Sequence, residues 1–266
     1  NTGVDLLIVS LKYGALKGAL DNIATAIGEN TIVMSLMNGV DSEDIIADRI
    51  GMSHIVYSLI KVASHRDGRG YYFNPDTTIG IIFGETADKV SASDKISEQT
   101  LVSDRIKLID ELFAASRLNY RVTEHIKEEM WSKFRLNVSN NLPQAVLGAG
   151  VGCYRDSEHM KAISDGLRHE LETIAKAKGI DLSVIDNSSS RGSAVPPTAR
   201  YSTLQDIDAK STEIDMFSGA LMRMGEEFGI PTPYNEYTYH IIKAIEEKND
   251  GRFDYDKGNE ELTYAR

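Results

Sequence analysis

Along the first half of the chain, short apolar runs alternate with longer stretches of helical periodicity, and the alternation stops near residue 123. Leu6–Val9 reads as a strand, and apolar spacing predicts a helix over Leu16–Ile27. Residues 31–36 (Thr-Ile-Val-Met-Ser-Leu) form a second strand closed by Asn38-Gly39, and Asp41–Ile50 follows as a helix that Asp41 or Ser42 can cap. His54–Ile60 is a third strand. Arg66-Asp67-Gly68 reads as a turn, and Tyr71–Phe73 and Thr78–Phe83 suit an antiparallel extension around Asn74-Pro75-Asp76. A helix over about 103–115 and a short strand, Tyr120–Val122, complete this half. β-Branched runs alternating with helices predict a mostly parallel, doubly wound α/β sheet.

From 124 onward the pattern is helical. Glu124–Val146, Ser157–Lys178, Ser202–Phe228 and Asn235–Glu247 each show helical spacing. Gly179 and Gly229 read as C′ glycines, and Pro231 and Pro233 stop the helix before them. Asn187–Pro197 is a long polar loop, either disordered or a lid over a site. The expected organisation is therefore a sheet domain over 1–123 and a helical domain over 124–266.

Composition narrows the function classes. Among 266 residues, 41% are hydrophobic and 26% charged, enough for a buried core. The net charge of −11 disfavours nucleic acid or an anionic bilayer as partner. No apolar run approaches the ~18–20 residues of a membrane span. One cysteine, Cys153, permits no internal disulfide and points to a reducing, cytoplasmic setting. The chain opens directly into a strand at Val4, with no glycine-rich phosphate turn before it. Roughly 60–70 further residues, two βα units, are expected upstream in the natural protein.

Histidine-based metal chemistry has no support in spacing: His54, His65, His125, His159, His169 and His240 form neither HxxxH nor HExxH. Gly148-Ala149-Gly150-Val151-Gly152 follows a helix rather than a strand, which makes it a helix-terminating turn and not a dinucleotide fingerprint. Asn38-Gly39 lies where open α/β sheets bind ligands, although Asn-Gly is also a common turn pair. The segment from Trp131 to Asn141 carries more. On a helix, Lys133, Asn137, Asn140 and Asn141 share an arc of about 100°, opposite Trp131, Val138 and Leu142. Such a row is either a solvated face or the wall of a polar cleft, where a cation donates a proton and amides hold oxygens. Pro143 should kink or finish this helix. On a continuous Ser202–Phe228 helix, Ser202, Asp206 and Glu213 share one face; Ser202-Thr203-Leu204-Gln205 is also a capping box.

In this order, the chain resembles the ketopantoate reductase (2-dehydropantoate 2-reductase) family. The resemblance rests on Ser10-Leu11-Lys12, Met37-Asn38-Gly39, Ala63, Trp131-Ser132-Lys133 with Asn137 and Asn141, Ser202 to Asp206, and Thr212-Glu213-Ile214-Asp215. It implies a partial Rossmann-like sheet followed by an all-helical domain like that of 6-phosphogluconate dehydrogenase. The implied activity is NADPH-dependent reduction of ketopantoate to pantoate, a step of pantothenate biosynthesis, and a homodimer is the assembly it suggests. It makes Lys133 the general acid, with Glu213 near the nicotinamide ribose or the reacting centre. Asn38, Asn137, Asn141 and Ser202 would hold the substrate, while Lys12, Asn38, Ala63 and Glu213 would line the cofactor. Gly150-Val151-Gly152 stands where the family often has another asparagine, which leaves room for a related 2-oxo acid or β-hydroxy acid dehydrogenase. A binding or sensor protein on the same fold is the other reading that the residues leave open.

Overall fold

Side chains alternate across a strand, and in the second strand that alternation builds two cores. A computed structural model of the chain describes residues 3–62, 64–67, 69–76, 78–86, 103–188, 195–208 and 211–254. It divides into two units: Asn1–Phe134 with Ala175–Arg191, and Arg135–Ile174 with Gly192–Arg266.

The first unit is built on β1 (Leu6–Val9), α1 (Tyr13–Thr25), β2 (Ile32–Ser35), α2 (Ser42–Ile50) and β3 (Ile55–Lys61). After them come β4 (Ser64–Asp67), β5 (Gly70–Phe73), β6 (Gly80–Gly84), α3 (Asp104–Ala114) and β7 (Tyr120–Val122). The main sheet has the order β1-β2-β3-β6-β7. β1, β2 and β3 are mutually parallel, β6 runs antiparallel to β3, and β7 is parallel to β6. Val33 points to one face, where Leu16, Ile23, Ile46 and Ala47 of α1 and α2 pack with Val9 and Ile55. Ile32 and Met34 point to the other, against Ile106, Ile109 and Phe113 of α3 with Phe83. Phe113 meets the Phe83 ring edge-on at 5.6 Å. Helices on both faces of a largely parallel sheet make the expected doubly wound architecture.

One pairing differs from expectation. Arg66-Asp67 belongs to a strand rather than a turn: β4 pairs antiparallel with β5 as a separate two-stranded ribbon, and β6 joins the main sheet beside β3. The apolar run Ile81–Phe83, fully buried, gains more on the central sheet than against the exposed aromatic β5. β6 and β7 approach closely at Gly80, whose φ is +85°; a Cβ there would stand 1.8 Å from the carbonyl oxygen of Asn119.

Helices dominate the rest of the chain. α4 (Ile126–Leu136) runs into a π-helical segment, Asn137–Asn141, and then α5 (Leu142–Leu147). Pro143 does not finish the helix: the chain continues through it into α5, with Pro143 in the first turn and the π segment directly before it. Gly148, at φ +74°, ends α5 as the expected terminating turn. The short α6 (Cys153–Asp156), α7 (Glu158–Ala177) and α8 (Ser183–Ser188) follow. Of the polar loop expected over 187–197, residues 187–188 end α8 and 189–194 lie outside the described residues.

The predicted Ser202–Phe228 helix is two helices, α9 (Ser202–Asp208) and α10 (Ser218–Phe228). Between them Thr212 gives both its N–H and its hydroxyl to Glu246 Oε1, each at 2.7 Å, on α11 (Pro233–Asn249). That anchor replaces helical bonding, so Ser202 and Glu213 do not share a helix face. Buried Glu170 of α7 starts α11 by accepting from the N–H groups of Tyr234 and Asn235 and the Asn235 amide.

Candidate functional site

In the sheet unit, the carboxyl ends of the parallel strands carry the polar groups. Lys12 follows β1 and precedes α1, with extended backbone (φ −70°, ψ 142°). Asn38 follows β2, and Gly39 turns the chain with φ +87°. The half-buried Lys133 of α4 donates from Nζ to Asn38 Oδ1 at 2.9 Å and to the Ile60 carbonyl of β3 at 2.8 Å. Two elements far apart in sequence therefore hold one ammonium. Ala63 lies outside the described residues.

A buried chain of hydrogen bonds underlies the Asn38 turn. The Met37 N–H donates to Ser35 Oγ at 3.4 Å; the Ser35 and Ser42 hydroxyls are 2.8 Å apart; and Ser42 Oγ donates to Glu43 Oε2 at 2.8 Å. Ser58 fixes the same strand end by donating to the Ser35 carbonyl at 2.8 Å. Glu43 is 2% exposed. Burial pushes its carboxyl up to about 7, opposed by the Ser42 hydroxyl and by its own backbone N–H and reinforced by Asp44 and Asp41. One helical turn before Lys133, Glu129 takes Lys61 at 2.6 Å on one oxygen and Arg121 on the other. Burial pushes the Glu129 carboxyl up, but the two cations outweigh it and hold it below the ordinary value.

In the helical unit, Asn137, Asn141 and Ser202 come together. Asn141 Nδ2 donates at 3.4 Å to both Asn137 Oδ1 and Ser202 Oγ. Asn141 is buried, Asn137 is half-buried and Ser202 is exposed. Asn140, which the helical wheel placed with them, is engaged elsewhere: its Oδ1 accepts from Ser139 Oγ at 3.2 Å. The amide row is no solvated face. Gln205 donates to the Arg200 carbonyl instead of completing the capping box at Ser202. Glu213 lies half-buried in the non-helical stretch before α10, and its carbonyl accepts from the N–H groups of Met216 and Phe217.

Sequence reasoning passed over Gln144, which is fully buried. Its Nε2 donates to the Ala199 carbonyl at 2.9 Å and its Oε1 accepts from the Tyr201 N–H at 2.7 Å, so it fixes the approach to Ser202. The 148–152 turn backs this segment: Val151 N–H donates to Ala199 O and Gly152 N–H to Pro197 O. A Cβ on Gly150 would stand 2.3 Å from the Pro197 carbonyl, which leaves no room for an asparagine there. Among the described residues, no helix is long and apolar enough to cross a membrane.

Two family models match this chain. One, described as ketopantoate reductase PanE/ApbA, covers residues 1–85, and the other, its C-terminal counterpart, covers 125–246. The 2-dehydropantoate 2-reductase of Aquifex aeolicus is 25% identical over 251 residues, covering 91% of this chain and 76% of its own. Among solved structures, a PanE/ApbA family ketopantoate reductase from Ralstonia eutropha superposes with TM-score 0.73 at 21% identity, covering 94% of this chain and 78% of its own. D-Mandelate dehydrogenase with NADH and anilino(oxo)acetate gives 0.74 at 22%, with 94% and 79% covered. A dimeric ketopantoate reductase from Staphylococcus aureus gives 0.70 at 15%, with 93% and 80% covered.

Proposed function

The chain belongs to the ketopantoate reductase PanE/ApbA family of NADP-dependent oxidoreductases, and from that premise we propose that it reduces 2-dehydropantoate to the 2-hydroxy acid with NADPH. The observation that carries the reading is the Lys133 ammonium, held by Asn38 and the Ile60 carbonyl. The chain's own residues suit a nicotinamide cofactor: Lys12 and Asn38 follow adjacent parallel strands at their carboxyl ends, where open α/β sheets take a dinucleotide. When bound, that cofactor would supply hydride to the substrate's carbonyl carbon.

The remaining work falls to protein groups. As charge develops on the carbonyl oxygen, Lys133 stabilises it and then transfers a proton to it, to be reprotonated from water. Asn38 orients the ammonium through Oδ1, which leaves the two N–H donors of its amide for a ligand oxygen. Asn137, Asn141 and Ser202 offer amide and hydroxyl groups to the carboxylate and hydroxyl oxygens of the substrate. Glu213 would act near the nicotinamide ribose. The same reading assigns 1–123 to cofactor binding and 124–266 to substrate, in a homodimer like the S. aureus relative.

A second reading, a different 2-oxo acid as substrate, draws support from Gly150, whose packing against Pro197 bars the asparagine common in the family. The test is Lys133→Ala in the natural gene product, following NADPH oxidation with 2-dehydropantoate and with other 2-oxo acids. Turnover should fall about 10²–10⁴-fold with little change in cofactor affinity. Wild-type turnover in the variant would overturn the assignment, and a higher kcat/KM for another 2-oxo acid would favour the second reading.

A further inference from the structure

In an unbroken α-helix Gln144 would donate its backbone N–H to the carbonyl of Asn140. It donates instead to the phenolic oxygen of Tyr154, at 3.0 Å, and the same hydroxyl donates onward to the Asn140 carbonyl. A side-chain hydroxyl is thus inserted into the helical ladder. The rung before it is missing as well, because Pro143 has no N–H for the Ser139 carbonyl. Two consecutive rungs are therefore open where the chain widens into the π segment Asn137–Asn141. Burial raises the Tyr154 phenol above its ordinary value, which keeps it the neutral donor this position needs. Tyr154 is carried on α6, behind the 148–152 turn that is bonded to Pro197 and Ala199. The wedge and the approach to Ser202 are thereby tied to one support.

We propose that Tyr154 is a positioning residue for substrate: its hydroxyl props the π turn open and so sets Asn137 and Asn141 against Ser202. This rests on the reading that those three groups bind the 2-oxo acid. Closing the turn to an α-helix would rotate Asn137 relative to Asn141 and misplace both, without touching Lys133 or the residues at the ends of β1 and β2.

The experiment compares Tyr154→Phe with Asn141→Ala in the natural gene product, measuring KM for 2-dehydropantoate, KM for NADPH and melting temperature. Tyr154→Phe keeps the half-buried ring and removes only the wedge. It should raise the KM for the 2-oxo acid about tenfold, the worth of a hydrogen bond or so, and leave the KM for NADPH unchanged. Pro143→Ala, which returns a donor to the Ser139 carbonyl, should move the same constant in the same direction. If Asn141→Ala raises the substrate KM and Tyr154→Phe does not, the wedge is refuted and the substrate site stands. If neither moves it, the substrate reading of the amides falls and the wedge proposal with it. A lower melting temperature with both KM values unchanged makes Tyr154 a packing residue only, and also overturns the proposal.

Discussion

Replacing Glu43 with glutamine should change how the stability of the sheet unit depends on pH. The Glu43 carboxyl titrates near 7 when folded and near 4.5 when exposed, with burial as the main cause. Between those values the folded state holds a proton that the unfolded state has released. Stability therefore falls as pH rises through this window, is unaffected by this group below about 4.5, and loses nothing further above about 7. The difference of about 2.5 pH units, at about 1.4 kcal/mol each, amounts to about 3.5 kcal/mol in full. Glutamine keeps an oxygen for the Ser42 hydroxyl and carries no charge, so Glu43→Gln should escape this loss. Trp131 is the chain's one tryptophan, is 4% exposed, and lies in the same unit as Glu43. Urea unfolding followed by its fluorescence reports the relevant transition. The quantity to measure is the stability of the variant minus that of the wild type, at pH 4.5 and at pH 8. It should become more favourable to the variant by about 3 kcal/mol across that range. A difference that stays level with pH would show that Glu43 is ionised in the fold, and the reasoning would fail.

Two further outcomes follow from the geometry. Ser202→Ala should raise the KM for the 2-oxo acid with little change in melting temperature, because Ser202 is exposed and its hydroxyl accepts from Asn141; a lower melting temperature at constant KM would return Ser202 to a capping role. Gly80→Ala should destabilise the sheet unit by more than about 2 kcal/mol, combining a left-handed φ with a Cβ driven into the Asn119 carbonyl; a wild-type denaturation midpoint would contradict the β6–β7 register.

Much of the sheet was legible because short apolar runs bounded by turns are local signals. Leu6–Val9 and Tyr120–Val122 are strands residue for residue as the pattern predicts. What escaped depends on partners distant in sequence. Nothing local says that Tyr71–Phe73 pairs with Ser64–Asp67 rather than with β6. The apolar spacing of Ile207, Ile214, Phe217 and Leu221 stays close to helical across the α9–α10 break; the break comes from Thr212 bonding to Glu246, on another helix. A helical wheel also presumes 100° per residue, and the π segment departs from that, which is why Asn140 separated from Asn137 and Asn141. Lys133 and Asn38, named from the sequence, prove to be in contact.

The strand order has a kinetic corollary. Neighbouring strands β1–β3 pair across single βα units, Leu6 with Ile32 and Val33 with Ile55, whereas Ile81 of β6 finds Tyr120 of β7 across a wider gap. The longer loop costs only about 0.5 kcal/mol more to close. β7, however, has three residues and, among the described residues, one neighbouring strand with which to recover it. The parallel β1–β3 core can nucleate early around Val33 and Ile46, with β7 and α3 condensing late. Substitutions in β7 would then hasten unfolding and leave the folding rate alone, so that edge governs how long the native state lasts rather than how fast it forms.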